Sequence, residues 1–528
     1  MVERFDYVIA GAGSAGTVLA ARLSEDPAVS VLLLEAGGAD LSPLIHIPGL
    51  VVNLLKSGAF NWQYRGEPDP TLNGRSLVWA GGRVLGGSSS INGMVYGRGL
   101  PADYSRWAEA AGAEWDWAHM LPWFRKMESW QGAPHPDRGT TGPLETRQFD
   151  EPNIACVSAM NALVRSGVPA APDYSLGISH GIGYTQATQQ GGWRHSVARA
   201  YLRPVRHRPN LTVRTRAHVT RVLVERGQCV SLDYVSRGQV HRVAADRETI
   251  LSLGAIGSPK LLLQSGIGAP DDLRIKGIDP VHDLPGVGRN LNEHVNIRLS
   301  ATVNVRTYNS ERTPLGKAWS GLRWLYDRKG PASSPANHCQ GFVKTGPALA
   351  TADIQIQLMA VGLYDEPGRN DDGMTAVVSL CAPNVRGKVG LAAADPFAPP
   401  KIEIALLSDA QDIATLIAGG RIARAALEDG PGRELGGRVA TGPSANATDA
   451  EWLDFMRGNA GLNWHPTSTC RMGEGPQDVV GPDLLVRGLS GLSVADASIF
   501  PNVTSGNTNA PVIAVAEKAA EMIAERGR

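Results

Sequence analysis

Phe5-Asp6-Tyr7-Val8-Ile9-Ala10-Gly11-Ala12-Gly13-Ser14-Ala15-Gly16 is the stretch that decides the fold. Six mostly apolar residues read as a buried strand, the glycines as a turn, and 17–23 as the helix that follows. Gly11 permits the tight turn, and Gly16 lets the helix pack close to the sheet. Gly13 lets the backbone approach a pyrophosphate, with Ser14 and Ala15 opening the helix whose free N–H groups favour phosphate. A second apolar run, 29–34, ends in Glu35-Ala36-Gly37. The Glu35 carboxylate stands at the spacing at which a dinucleotide site accepts hydrogen bonds from ribose hydroxyls. FAD and NAD share the ADP half that such a site holds, so this segment alone leaves both open.

Two more glycine-rich runs narrow the choice. Gly81-Gly82-Arg83-Val84-Leu85-Gly86-Gly87-Ser88-Ser89-Ser90-Ile91-Asn92-Gly93-Met94-Val95 packs small residues among apolar ones, unlike a plain polar linker. Gly254-Ala255-Ile256-Gly257-Ser258-Pro259-Lys260-Leu261-Leu262-Leu263-Gln264-Ser265-Gly266-Ile267-Gly268 follows strand-like segments at 211–213 and 217–224. Both runs resemble the two signatures of the glucose-methanol-choline (GMC) oxidoreductases, and the likeness extends along nearly the whole chain. It implies FAD. By that resemblance Arg83, Gly86, Gly87, Ser88, Asn92, Gly93, Met94 and Val95 border the pyrophosphate and flavin, and Val219 lies near the adenine. Relatives with a covalently attached flavin carry a histidine where this chain has Ile91. An isoleucine has no nucleophile, so the FAD is expected to be noncovalent.

The resemblance continues through Asn463-Trp464-His465-Pro466, Asp496-Ala497 and Ser505-Gly506-Asn507-Thr508-Asn509-Ala510-Pro511. It implies that His465 stands beside the flavin's reactive N5, with Asn507 as its partner and Asn509 the nearby competitor. Trp464, Asp496, Ala497, Thr508 and Asn509 would complete the FAD surroundings. Hydride leaves an alcohol carbon more easily once the hydroxyl proton has gone. An imidazole is a base suited to accept that proton near neutral pH, and an amide can steady the oxygen. The other eleven histidines, His338 included, are read as structural or surface residues. No metal site is expected.

The 528 residues exceed what one core usually serves. With 51 basic and 51 acidic side chains, net charge offers nothing to nucleic acid or to an anionic membrane. Five scattered cysteines without a C-x-x-C spacing fit a reduced compartment. The start runs from Met1 straight into the first strand, and no apolar run is long enough to span a bilayer. A cytoplasmic protein without an integral membrane segment is expected, as monomer or homo-oligomer.

The fold expectation is α/β (α+β overall): a Rossmann-like FAD-binding domain from 1–150, 196–300 and 463–528, and a substrate domain from 151–195 and 301–462. The latter would hold an antiparallel sheet backed by helices. Strand candidates are 353–358, 375–380, 390–391 and 402–404; 410–427 is a helix, and 396–400 and 430–432 read as turns. The Trp-rich stretch 107–130 reads as packing. The function implied is oxidation of a primary alcohol, aromatic or of medium chain, with dioxygen or a quinone as acceptor. The alternatives are a nonredox lyase of the same fold and a choline dehydrogenase. Choline is less favoured, because aromatic content is only 6% and no aromatic cage for a quaternary ammonium is visible.

Overall fold

The computed structural model describes residues 2–366 and 368–527. Strand Glu3–Ala10 is buried over its second half and feeds directly into helix Ser14–Leu23 through the glycine turn. It pairs in parallel with Val31–Glu35 on one side and Gln239–Leu251 on the other. Leu211–Thr215 extends the parallel set beyond Val31–Glu35. Ala217–Glu225 and Gln228–Ser236 run antiparallel at the far edge, and Leu492–Val494 adds in parallel to Gln239–Leu251. Tyr7 to Ala10 of the first strand and Val31 to Leu34 of the second read as continuous apolar runs because the parallel sheet is covered on both faces there. The closing helix Asn509–Arg526 packs against Ser14–Leu23.

A second sheet is antiparallel, in the order Arg438–Thr441, Val295–Thr302, Gly373–Leu380, Ile354–Met359, Cys339–Val343, Gly181–Tyr184. Its strands alternate cleanly. Ile297, Leu299, Ala376, Val378, Ile354, Ile356 and Leu358 pack into one core, closed by helix Ala410–Leu427. The opposite face carries Asn296, Arg298, Gln355, Gln357 and Ser379, as the two-residue period of a strand requires.

Two expectations change. Gly430-Pro431-Gly432 is not a turn: helix Ala410–Leu427 runs on into a π-helical segment, Glu428–Gly432. The wider i→i+5 bonding tolerates the proline, and a Cβ on Gly430 would sit 2.6 Å from the Ser158 carbonyl oxygen, so glycine allows the neighbouring helix Ile154–Arg165 its close approach. The segments at 390–391 and 402–404 form a separate hairpin, Lys388–Leu391 with Pro400–Glu403. Trp107, Trp115, Tyr104, Phe124 and Phe500 are buried together, which makes the Trp-rich stretch packing. All five cysteines are buried free thiols.

Candidate active site

The two glycine-rich segments meet back to back. A Cβ on Gly87 would lie 2.6 Å from Gly13 Cα, and one on Gly16 only 1.9 Å from the Gly11 carbonyl oxygen, so the backbones touch where side chains cannot fit. A Cβ on Gly13 would meet only the Ser252 carbonyl oxygen, at 3.8 Å, and this glycine opens onto a cavity of about 1270 Å³. That exceeds the roughly 300–1,000 Å³ of a drug-sized pocket and leaves room for a long ligand. The cavity is bordered by every expected cofactor residue except two: Gly16 packs against Gly11, and Gly86 lies behind the loop, where at φ +85° its Cβ would meet Ser90 Oγ at 2.3 Å. Val219, His218 and Phe397 line one end, and Trp464, His465 and Asn507 line another part.

Glu35 closes its strand with the carboxylate accepting N–H groups from Ala12 at 3.1 Å and Gly37 at 2.7 Å. Burial pushes its pKa up to about 7. Asp496 accepts from Gly254 N–H and Ser498 N–H, which ties the start of helix Gly254–Gln264 to the C-terminal loop. Arg194, which carried no signal in the sequence, clamps the second glycine loop from behind. Its guanidinium donates to the carbonyls of Ile45, Ser89 and Asn92 and to Asn92 Oδ1. Ile91 is buried at the cavity wall.

Trp464 adopts φ +61°, a left-handed backbone uncommon outside glycine, and its indole N–H donates to the Val78 carbonyl at 2.9 Å. The following residue, His465, is turned into the cavity. Its Nε2 lies 3.2 Å from Asn507 Nδ2, while Asn509 is engaged elsewhere, accepting from Ser14 Oγ at 2.8 Å. Asn507 Oδ1 faces Gln357 Nε2 at 3.5 Å, which orients the amide with its N–H toward the imidazole. On the other side, His465 Nδ1 lies 2.9 Å from His294 Nδ1. The His465 backbone N–H donates to both oxygens of Glu293, at 2.9 and 2.8 Å, and the His294 N–H donates to Glu293 as well.

Burial dominates the electrostatics. His465 is held well below the ordinary imidazole value by burial first and by the adjacent His294 second. His294 is lowered to about 4 and Glu293 raised to about 8, each chiefly by burial. Both imidazoles are therefore neutral near pH 7. A neutral pair sharing one Nδ1···Nδ1 contact must place a proton on one side only. His294 Nε2 meets no partner at hydrogen-bond distance among the described residues. In the tautomer that carries the proton on His294 Nε2, His465 donates from Nδ1 and its Nε2 lone pair faces Asn507 and the cavity. The ligand atoms of Glu293, His294 and His465 lie within 4.8 Å of one another. Glu293 accepts the His294 and His465 backbone N–H groups with its two oxygens, which positions His465.

Glu293 and His294 escaped the sequence reading. His338, weighed as a structural residue, is one: Nδ1 accepts the Asn153 N–H at 2.8 Å and Nε2 lies 3.0 Å from Ser334 Oγ. Its neighbour Asn337 borders the cavity instead.

The glycine cradle, the buried Glu35 and the length of the cavity fit FAD. Comparison with known proteins agrees. The GMC oxidoreductase family profiles match residues 5–296 and 383–516. The chain is 40% identical to an alcohol dehydrogenase [acceptor] of Pseudomonas putida, covering 99% of this chain and 96% of that protein. It is 39% identical to the mitochondrial choline dehydrogenase of Homo sapiens, covering 99% and 90%. Among solved structures, pyridoxine 4-oxidase from Mesorbium loti superposes with a TM-score of 0.88 at 31% identity, covering 98% of each chain. A formate oxidase variant of Aspergillus oryzae does so with a TM-score of 0.92 at 27% identity, covering 99% and 98%. With its glycine cradle, its paired sheets and its match to both halves of the family profile, the chain belongs to the GMC oxidoreductase family and is an FAD-dependent oxidoreductase.

Proposed function

We propose that the protein oxidises a primary alcohol to an aldehyde, with His465 as the base that takes the hydroxyl proton. FAD, when bound, supplies the hydride acceptor. The residues that would hold it are the glycine turn at Gly11 and Gly13, Glu35 at the ribose, the loop from Gly87 to Val95, and the C-terminal Asp496, Ala497, Thr508 and Asn509. The observation that carries the reading is His465 Nε2, 3.2 Å from the Asn507 amide nitrogen and lining the same cavity as the glycine cradle. The proton would move from the substrate hydroxyl to that nitrogen. Asn507 would donate to the substrate oxygen without competing for the proton. As Nε2 gains its proton, the Nδ1 contact to His294 and the backbone tie to Glu293 hold the ring in place.

The acceptor is dioxygen or a quinone, and the partner a small molecule rather than nucleic acid. No helix among the described residues is long and apolar enough to cross a membrane. Anaerobic mixing of the yellow protein with a panel of alcohols tests the reading: bleaching of the flavin's visible band supports it. Aldehyde release without bleaching would point to the lyase chemistry instead. Rapid return of colour in air would identify an oxidase, and slow return a dehydrogenase.

A further inference from the structure

Strand Val295–Thr302 points Asn296 and Arg298 toward the cavity from the polar face of the second sheet. Asn296 is tied to the catalytic loop, its amide donating to Asn463 Oδ1 at 2.6 Å. Arg298 is different. Its backbone N–H donates to Asn459 Oδ1 at 2.8 Å, but its guanidinium, which lines the cavity, has no hydrogen-bond acceptor and no carboxylate partner among the described residues. It is half-buried, and the neighbouring cation Arg75 has its own guanidinium occupied by the carbonyls of residues 457, 458 and 460.

An arginine keeps its charge in a protein, and a partly exposed guanidinium that lines the cavity with no protein acceptor has its fork open to an anion entering that space. The cavity's own carboxylates do not supply one. Glu35 and Asp496 belong to the cofactor end and are occupied by backbone N–H groups, and Glu67 is exposed at the rim. Across the sheet Arg298 faces Val377, then Gln357, which reaches Asn507. Two strand spacings separate Arg298 from Gln357, roughly 10 Å, and two residues along its own strand separate it from Asn296, roughly 7 Å. Arg312, exposed at the mouth and likewise without an ion pair among the described residues, adds a second positive charge on the way in.

We propose that the substrate is an alcohol that also carries a carboxylate, held by Arg298 while the hydroxyl reaches His465 and Asn507. A guanidinium fork matches a carboxylate in two parallel hydrogen bonds, which would fix the far end of the molecule. The same charge opposes a quaternary ammonium in that position. This rests on the alcohol-oxidation reading for the hydroxyl, but the anion site can be tested without turnover.

The test titrates the holoenzyme with benzoate and hexanoate, and with benzamide and hexanamide as uncharged counterparts, following flavin absorbance and melting temperature. The carboxylates should bind at least about tenfold more tightly than the amides. Arg298→Met should erase that preference and Arg298→Lys should keep part of it; Arg298→Gln serves if the methionine variant does not fold. Equal binding of acid and amide, or a preference that survives Arg298→Met, overturns the proposal. In turnover, the ratio of kcat/KM for ω-hydroxycarboxylates to that for the matching neutral alcohols should fall at least about tenfold in Arg298→Met. Carboxylate binding that depends on Arg298 with no flavin reduction by any alcohol would keep the site and refute alcohol oxidation.

Discussion

His294 Nδ1 and His465 Nδ1 lie 2.9 Å apart, and their rings cross at 87°. One of them must accept and the other donate, so His294 determines which nitrogen of His465 is free. His294→Gln should keep FAD and lower the rate of alcohol-driven flavin reduction by about tenfold or more, as expected when a catalytic imidazole loses its tautomer partner. It also has a pH signature. His465 is depressed by burial and by His294, so its base form is kept as pH falls and is lost only below the ordinary imidazole range. Removing His294 takes away the second cause, and the acid limb of the kcat/KM profile should move to higher pH. A limb that stays in place would show that the two rings are not coupled.

His465→Ala should still bind FAD, because the cofactor's other contacts are untouched, but should lose flavin reduction by about 10²- to 10⁴-fold. Stopped-flow reduction of the variant by a good substrate measures this. Turnover near that of the unaltered protein would remove His465 from the mechanism.

Glu35 supplies a titration that reports on the cofactor rather than on chemistry. Its pKa is raised to about 7 by burial, so the carboxylate form needed to accept ribose hydroxyls is lost as pH falls through that value. FAD affinity of the apoprotein should weaken below about pH 7 and level off above it. Glu35→Gln should bind FAD more weakly at high pH and show a flat profile, read by fluorescence quenching of added FAD.

Ile91 sits buried in the cavity wall and offers no nucleophile. Acid precipitation of the holoprotein should therefore release the yellow chromophore into the supernatant. Colour retained in the pellet would mean a covalent link from another side chain.

What the sequence made legible were local signals. The glycine turn reads directly because Gly11 and Gly16 each avoid a backbone clash that a Cβ would cause, while Gly13 leaves the backbone open to the cavity. His465 and Asn507 read through their motifs. Glu293, His294 and Arg298 did not, since their meaning comes from strand register. Asn292-Glu293-His294 precedes a strand with no marker of chemistry, and His294 meets His465 only because Asn292 bridges Thr467 and Val295 pairs with Leu462 across 167 residues or more. Arg298 looked like an ordinary strand cation until the sheet placed it opposite Val377. The π-helical segment at Glu428–Gly432 was hidden for a related reason: proline and glycine mark a stop unless a neighbouring helix needs the room.

Strand Leu492–Val494 and helix Asn509–Arg526 lie roughly 240 to 500 residues downstream of the elements they join, yet they complete a sheet and cover a helix built from the first part. A nascent polypeptide must therefore hold Gln239–Leu251 with one edge partly unpaired, and Ser14–Leu23 partly uncovered, until those downstream residues have been made. Such late, long-range closure makes maturation slow and dependent on protection from aggregation during translation. Shortening the protein from its C-terminus would cost the nucleotide-binding half as much as the catalytic one.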